Sequence, residues 1–568
     1  MRRRSAAGRE DAGAEAGARP SAALRARQAV VPVAILLVAT VLRLWGIRWG
    51  LPDGQDYASY HPDETVNLVN AVLDDGALRP HLDIGFYNYG SFYFLLWQVA
   101  AAVNHAYGFV RIAGSASIGE ADPTTTVAAL LLVGRLLSAA CGVLTVAVLF
   151  AVGRRLYSRK AGLVAGAIYA IAPVAVVNAQ YATVDATATF LVAATLAPVA
   201  ALLDRPTLRM AVAAGALAGL AAATRYNTAI VLCAVLVACW SPREPWRPAA
   251  LRASVAVGAA IAAFIAGCPG VVLNWDRFHA DVMFEAAKSM AGMGNLFRDT
   301  GPGWIYHATV SFRYGLAMPL LLLTAAGIIH SLVARERRSA PLLALVIPFY
   351  FLMSMAEVRF LRYILPLVPP LALLTARFVT GSGCEPPWRG RATGAAFAAI
   401  ALMTLFISGA MSAAMARPDP RDLARDYIRR ALPAGATIAF ATTPAYYTPR
   451  LLPEFGAPTP GAVRRRMVLS AESPWTLRLP AEGTEWDLAV LAEPEPDMVI
   501  LSDAETQEVE RLREPRGMAF LAAVRSRYAP RTFANVPSIF GLSLGRPAWL
   551  PNDWLYTQPR VWLYERRP

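Results

Sequence analysis

Between Ala161 and Leu203 the sequence carries a single charged residue, Asp185. So long an uncharged apolar stretch has few stable forms, and the bilayer supplies the simplest. About twenty apolar residues of helix cross the hydrocarbon layer, where every backbone N–H and C=O must be paired within its own segment. The same pattern of long apolar runs and short arginine-rich links recurs along most of the chain. With 56% apolar residues and a mean hydropathy of +0.40, the composition is that of an α-helical polytopic membrane protein.

Spans are expected at 29–46, 127–152, 161–179, 186–203, 209–224, 227–240, 251–273, 315–333, 340–355, 361–378 and 393–415, about eleven in all. The first is too long for a removable signal peptide and lacks a small-residue cleavage site. Residues 1–28, opening with Arg2-Arg3-Arg4, read as a disordered basic tail on the cytoplasmic side. Alternating crossings then put 204–208, 241–250, 334–339 and 379–392 inside. These loops hold Arg205, Arg243, Arg247, Arg335, Arg337, Arg338, Arg389 and Arg391, and the run from Arg154 to Lys160 falls on the same side. The positive-inside rule therefore accounts for the net charge of +14, and no nucleic-acid partner is called for.

Residues 47–126 become a large first external loop within a transmembrane domain of 29–415. Its aromatic stretch, Phe86 to Trp97, could continue as a span to Tyr107. Gln98, Asn104 and His105 interrupt it, and the charge parity leaves no room for an extra crossing, so it reads as an interfacial helix. Past Met415 the composition turns polar. Residues 418–568, joined by Pro418-Asp419-Pro420, read as a small extracytoplasmic α/β domain with strands at 436–440, 497–501 and 561–564 and a helix at 504–512. Cys141, Cys233, Cys239 and Cys268 lie in apolar runs and Cys384 in a basic loop, so no disulfide framework and no metal-type cysteine spacing emerges.

The chemistry-bearing residues gather on one side of this topology. Tyr60-His61-Pro62-Asp63-Glu64 sits just beyond the first span. Pro62 suits the first helical position and the acids suit the first turn, against the positive end of the helix dipole, with Asp75-Gly76 as the stop and Val66, Val69 and Leu73 as the buried stripe. A rigid helix start is also a good mount for a catalytic carboxylate. Asp185, in Tyr181-Ala182-Thr183-Val184-Asp185, lies at an outer span end facing the same side; it would serve as a helix cap or as a functional acid.

Arginines also break the positive-inside pattern. Arg225, Arg313, Arg359 and Arg362 fall at outer span ends, and Arg135 lies in the outer half of the second span. Arg359 and Arg362, three apart, would share a helix face. Snorkelling to headgroups or pairing with Glu357 is the structural account. Guanidinium groups also bind phosphate at two points with permanent charge, which makes Arg135, Arg225, Arg359 and Arg362 candidates for a donor phosphate. His61, Tyr226 and Tyr363 are candidate substrate contacts. Histidines at 61, 81, 105, 279 and 307 fall outside; a divalent cation beside Asp63 and Glu64 is conceivable, but no ligand spacing supports one and no other cofactor is called for.

These motifs resemble the GT-C superfamily of membrane glycosyltransferases. The acidic pair in the first loop, Arg135-Leu136-Leu137-Ser138-Ala139, Tyr181 to Asp185, and Arg362-Tyr363-Ile364-Leu365-Pro366 to Pro369 follow its order, over roughly residues 29–378. The nearest likeness is to bacterial glycosyltransferase family 39, related to protein O-mannosyltransferases and lipid A aminoarabinose transferases. The His-Pro-Asp-Glu wording is also similar to lipid-linked mannosyltransferases.

The resemblance implies a polyprenyl-phosphate sugar donor and inverting transfer outside the cytoplasm. Its first-loop general base maps onto Asp63, with Glu64 beside it, and its second-loop acid onto Asp185. The acceptor would be a lipid, glycan or protein hydroxyl. Asn88-Tyr89-Gly90-Ser91 stands where protein mannosyltransferases carry a His-Pro-Pro type segment, which speaks against a protein. A transporter or flippase of lipid-linked sugars would also carry charges in spans, but near the midplane of paired repeats. A membrane scaffold would leave the outer acids dispensable.

Overall fold

The computed structural model describes residues 22–53, 58–74, 78–108, 123–240, 244–381 and 387–567. Most of the basic tail, the Asp75-Gly76 stop, Arg243, Cys384 and the side chain of Arg389 lie outside the described residues. Each segment expected to span is helical. Thr125–Leu156, Val184–Asp204, Trp246–Gly267, Leu361–Thr380 and Gly390–Ala431 are each long and apolar enough to cross a bilayer. A sixth crossing is available if Gly303–Leu316 and Met318–Ala334, bent by 119° against each other, count as one. Shorter apolar helices cover Ala29–Leu44, Leu208–Thr224, Tyr226–Cys239 and Ala340–Ser354.

Breaks in these helices have local causes. Pro173 ends Arg159–Ile171 and starts the short helix Pro173–Asn178, because proline has no N–H to donate and disfavours helical backbone in the residue before it. The bend between Leu316 and Met318 runs through Ala317, at a left-handed φ of 66°, with Pro319 in the next helix's first turn. Close helix approach is set by small residues: a Cβ on Gly215 or Gly219 would lie 2.0 or 2.1 Å from the carbonyl oxygens of Ala256 or Ala260. Helices Leu208–Thr224 and Trp246–Gly267 therefore touch backbone to backbone, as small residues four apart allow.

The described part of the segment expected as the first external loop is packed rather than loose. Phe92–Tyr107 is a helix whose Tyr93, Phe94 and Trp97 are fully buried, while Val99 and Tyr107 on its other side are 59% and 73% exposed. Trp97 donates to the carbonyl of Leu130 at 2.9 Å, fastening this helix to Pro123–Leu156. The helix after His61 is Pro62–Asn67, continued by a π-turn over Leu68–Val72. Its buried stripe is not Val66, Val69 and Leu73: Val69 is 44% exposed, and Glu64, Thr65, Asn67, Leu68, Ala71 and Val72 face inward. The physical reason is the inward pull of Glu64 on a buried arginine, after which the wider π-turn keeps Leu68, Ala71 and Val72 on that side.

Toward the C-terminus the chain forms strands β1 (Thr437–Phe440), β2 (Thr476–Arg478), β3 (Met498–Ser502), β4 (Tyr528–Ala534), β5 (Ser538–Ile539), β6 (Leu542–Ser543) and β7 (Arg560–Arg566). Five of them make one sheet in the order β2-β1-β3-β7-β4, parallel at β2-β1-β3 and antiparallel around β7. All of β3 is buried, and alternate residues feed two cores: Ile438, Phe440 and Ile500 on one face, Ala439, Val499 and Leu501 on the other. The expected strands and the helix, observed as Asp503–Leu512, are where the apolar pattern put them. This region is fastened to the membrane part by polar contacts: Trp49 donates to Asp419 at 3.0 Å, and Tyr60 donates to Asp422 at 2.7 Å while Arg421 stacks on its ring 3.6 Å from the centroid.

Candidate active site

The site is built on the helix start at Pro62. His61 is its N-cap, with Nδ1 accepting from the Asp63 amide at 3.3 Å, so that nitrogen carries no proton. Burial outweighs the two neighbouring carboxylates and pulls the His61 imidazole below its ordinary value. Its ring lies 4.3 Å from that of Tyr181 and 5.1 Å from that of Tyr556. The first-loop, second-loop and C-terminal motifs thus meet on one imidazole.

The two adjacent acids point opposite ways. Glu64 is wholly buried and forms a two-point pair with Arg135, at 2.8 and 2.6 Å. It also accepts from Ser59 and, at 2.6 Å, from the Ala182 amide. Arg135 spends its remaining donors on the carbonyls of Ile47 and Trp49 at 2.7 and 2.6 Å and on Ser59 at 3.2 Å. Burial opposes charge on Glu64, but Arg135 overrides it and holds the carboxyl below the usual glutamate range. Glu64 and Arg135 therefore saturate each other, tying the first loop to the second span and to the segment leading to Asp185.

Asp63 faces outward, with its side chain 27% exposed, and pairs with Arg362 at 2.9 Å. Burial disfavours its charge; Arg362, with His61, Lys288 and Arg225 behind it, prevails and holds the carboxyl below the ordinary aspartate range. Arg362 lies over the Phe360 ring at 4.2 Å and reaches Asp553 at 3.3 Å. Asp185 pairs directly with Arg225, both nearly buried, and Arg225 stacks on Tyr363 at 4.5 Å. Tyr226 holds its hydroxyl 2.9 Å from the carbonyls of Tyr87 and Tyr89.

Arg359 stands apart. Phe360 is extended and the following 3₁₀ turn starts at Leu361, so Arg359 and Arg362 do not share a helix face. Arg359 instead donates to Thr300 at 2.8 Å and to the carbonyl of Gly301 at 2.5 Å, and pairs with Glu357 at 3.2 Å.

A cavity of about 370 Å³ opens beside these pairs, lined by Arg225, Tyr226, Tyr363, Tyr89, Asn88 and Glu285 together with Val282, Met290, Leu352 and Met355. Met290, Leu352 and Met355 are 57%, 42% and 68% exposed, so an apolar rim leads into a cationic and aromatic interior. Arg225, Tyr226 and Tyr363 form part of its wall; Asp185 is joined to Arg225, and Arg362, paired with Asp63, lies 5.9 Å from the Tyr363 ring, with His61 and the Glu64–Arg135 pair beside Asp63. Among the described residues no group of three or more His, Cys, Asp or Glu side chains could hold a metal ion.

Sequence reasoning passed over several neighbours. Tyr89 lies in the aromatic stretch read as an interfacial helix and was not singled out within it, and Glu285 pairs with Lys288 at 3.3 Å on the amphipathic helix Trp275–Ala291. Asp553, just before Trp554-Leu555-Tyr556, gave no signal beyond an acid next to an aromatic cluster.

Comparison with known proteins adds a family. Residues 127–272 match the family described as dolichyl-phosphate-mannose-protein mannosyltransferase. That stretch contains Arg135, Asp185, Arg225 and Tyr226. Curated proteins give no match. Among solved structures, the chain is similar to ArnT from Cupriavidus metallidurans bound to undecaprenyl phosphate, at 15% identity over 94% of this chain and 98% of that one, with a TM-score of 0.49. It is similar to the oligosaccharyltransferase AglB from Archaeoglobus fulgidus in complex with an inhibitory peptide and a dolichol-phosphate, at 12% identity over 95% and 78%, TM-score 0.48. The S. cerevisiae protein O-mannosyltransferase Pmt1-Pmt2 complex bound to the sugar donor follows, at 15% identity over 46% and 36%, TM-score 0.32. The chain is a multi-pass membrane protein that, over residues 127–272, is similar to dolichyl-phosphate-mannose-protein mannosyltransferases, in keeping with the GT-C resemblance carried by its motifs.

Proposed function

We propose that this protein is an integral membrane glycosyltransferase that moves a sugar from a polyprenyl-phosphate donor to an acceptor hydroxyl on the extracytoplasmic face, with inversion. The observation that carries the reading is that Arg225, paired with Asp185 and stacked on Tyr363, lines a cavity with an apolar rim, and that Arg362, paired with Asp63, lies 5.9 Å from the ring of the same Tyr363. An apolar rim suits a prenyl chain, and Arg225 and Arg362 suit its phosphate. The family match supports a lipid-phosphate donor. In this reading the N-terminus is cytoplasmic, and the transmembrane domain of 29–415 is followed by an extracytoplasmic domain of 418–568.

In the reaction, the acceptor oxygen bonds to the anomeric carbon from the face opposite the phosphate, and its proton passes to Asp63. The bond from the anomeric carbon to the phosphate oxygen breaks, and its electron pair leaves on the phosphate. That phosphate gains a negative charge as it departs, which Arg225 and Arg362 stabilise more strongly than they stabilise the bound donor. Asp185 orients Arg225, and Glu64 with Arg135 fixes the helix start that carries Asp63. Tyr226, Tyr363 and His61 shape the sugar's surroundings. Arg359 steadies the neighbouring 300–301 turn.

The test offers purified, reconstituted protein a panel of polyprenyl-phosphate pentoses and hexoses with cell-envelope lipids and glycans, and follows donor and product by mass spectrometry. Consumption of a donor with appearance of a glycosylated acceptor is expected. Movement of intact donor across the vesicle membrane without consumption would move the protein into the transporter class.

A further inference from the structure

Arg362 sits between two carboxylates that differ in kind. Its Nη2 meets Asp63 at 2.9 Å and its Nη1 meets Asp553 at 3.3 Å. Asp553, 6% exposed at its side chain, is itself committed to backbone: Oδ2 accepts from the Leu361 amide at 2.8 Å, and Oδ1 lies 3.3 Å from the Arg362 amide. Those amides open the 3₁₀ turn Leu361–Leu367, so one carboxylate fixes both the backbone and the side chain of Arg362. Asp63 makes the shorter contact, but it is more exposed and, unlike Asp553, is not bonded to the backbone of that turn. The Phe360 ring below confines the group to swinging in its own plane.

On the transferase reading above, we propose that Asp553 is the pivot on which Arg362 passes from Asp63 to the donor phosphate, so that Asp63 is released to act as base when donor arrives. A phosphate oxygen arriving past Tyr363, which lines the cavity and whose ring lies 5.9 Å from the Arg362 guanidinium, competes with the single Asp63 contact for Nη2, while Nη1 stays on Asp553. The exchange strengthens through the reaction, because the departing phosphate gains charge that the guanidinium answers. Without the negative charge at position 553, nothing holds Nη1 back, and Arg362 closes on Asp63 with both edges. Asp553 is thus a positioning residue, contributed to a membrane-embedded site by the extramembrane part of the chain.

Full-length Asp553→Asn tests this. The amide still accepts from the Leu361 N–H but no longer anchors Nη1 by charge. With undecaprenyl-phosphate-linked sugars as donors, kcat is expected to fall about tenfold or more. Affinity for undecaprenyl phosphate alone should fall by no more than about threefold, since Arg225 still binds the phosphate while Arg362 is drawn onto Asp63. Asp553→Glu, which keeps the charge, should recover part of the rate. An Asp553→Asn protein with wild-type kcat, a loss confined to KM, or equal loss in both variants with lowered thermal stability overturns the proposal. So does failure of both to yield folded protein, which would make Asp553 a structural anchor only. A wild-type chain that consumes no donor sinks the transferase reading itself, a result distinct from any difference between variants.

Discussion

The carboxylate of Glu64 and the guanidinium of Arg135 meet at two points with neither side chain exposed to solvent. Adjacent Asp63 is left 27% exposed, paired with Arg362. A single residue step along the helix thus separates a buried, paired acid from the acid proposed to react.

Breaking that pair leaves an uncompensated buried charge. Glu64→Gln should lower stability by about 3–5 kcal/mol, the usual cost of removing one partner of a buried pair. Thermal unfolding in detergent measures it. Combining Glu64→Gln with Arg135→Met should recover part of the loss, because the second change removes the stranded cation.

Asp63→Asn removes the proposed proton acceptor but keeps the shape. Turnover should drop by about 10²–10⁴-fold, the range of a lost general base, with the melting temperature close to that of the wild type. Donor consumption followed by mass spectrometry checks it, and undiminished transfer would remove Asp63 from the mechanism.

Arg225 is held by Asp185 and stacked on Tyr363 at the cavity wall. Lysine keeps the charge but loses the planar fork and the stacking. Arg225→Lys should weaken binding of undecaprenyl phosphate by about tenfold, and Asp185→Asn by less, since the guanidinium survives but is no longer aimed. A direct binding titration separates the two effects.

Gly219 sets a helix contact. A side chain there meets the Ala260 carbonyl, 2.1 Å from where its Cβ would lie. Gly219→Val should therefore force the helices apart and cost about 1–3 kcal/mol or more, the range seen for overpacked interiors. Gly258, which has no neighbour within 4 Å of such a Cβ, is the control and should tolerate alanine.

In the C-terminal region, burial pushes the Glu505 carboxyl up to about 7, ahead of the hydrogen bonds from Thr442 and Ser502 that partly stabilise its charge. The folded state therefore holds its proton more tightly than the unfolded chain does. Stability contributed by this group is full at low pH and is lost as pH rises from about 4.5 to about 7. Glu505→Gln should raise the melting temperature at pH 8 and change it little at pH 5. Scanning calorimetry across that window reads the difference.

The sequence by itself determined the membrane-helical class, the apolar helical segments and three of the five strands of the C-terminal sheet. Apolar runs and their periodicity express a solvent preference that each segment satisfies locally. It also singled out Asp63, Asp185, Arg225 and Arg362, because an ionised group at a lipid boundary is costly enough to need a reason. Only the tertiary structure decided that Glu64 turns inward to Arg135, that Arg359 leaves the face expected to hold Arg362, and that Asp553 reaches Arg362 from 191 positions away in the chain. Each of those outcomes depends on which charge finds a partner once water has been removed. That competition is settled by contacts between distant segments, and no local pattern records it.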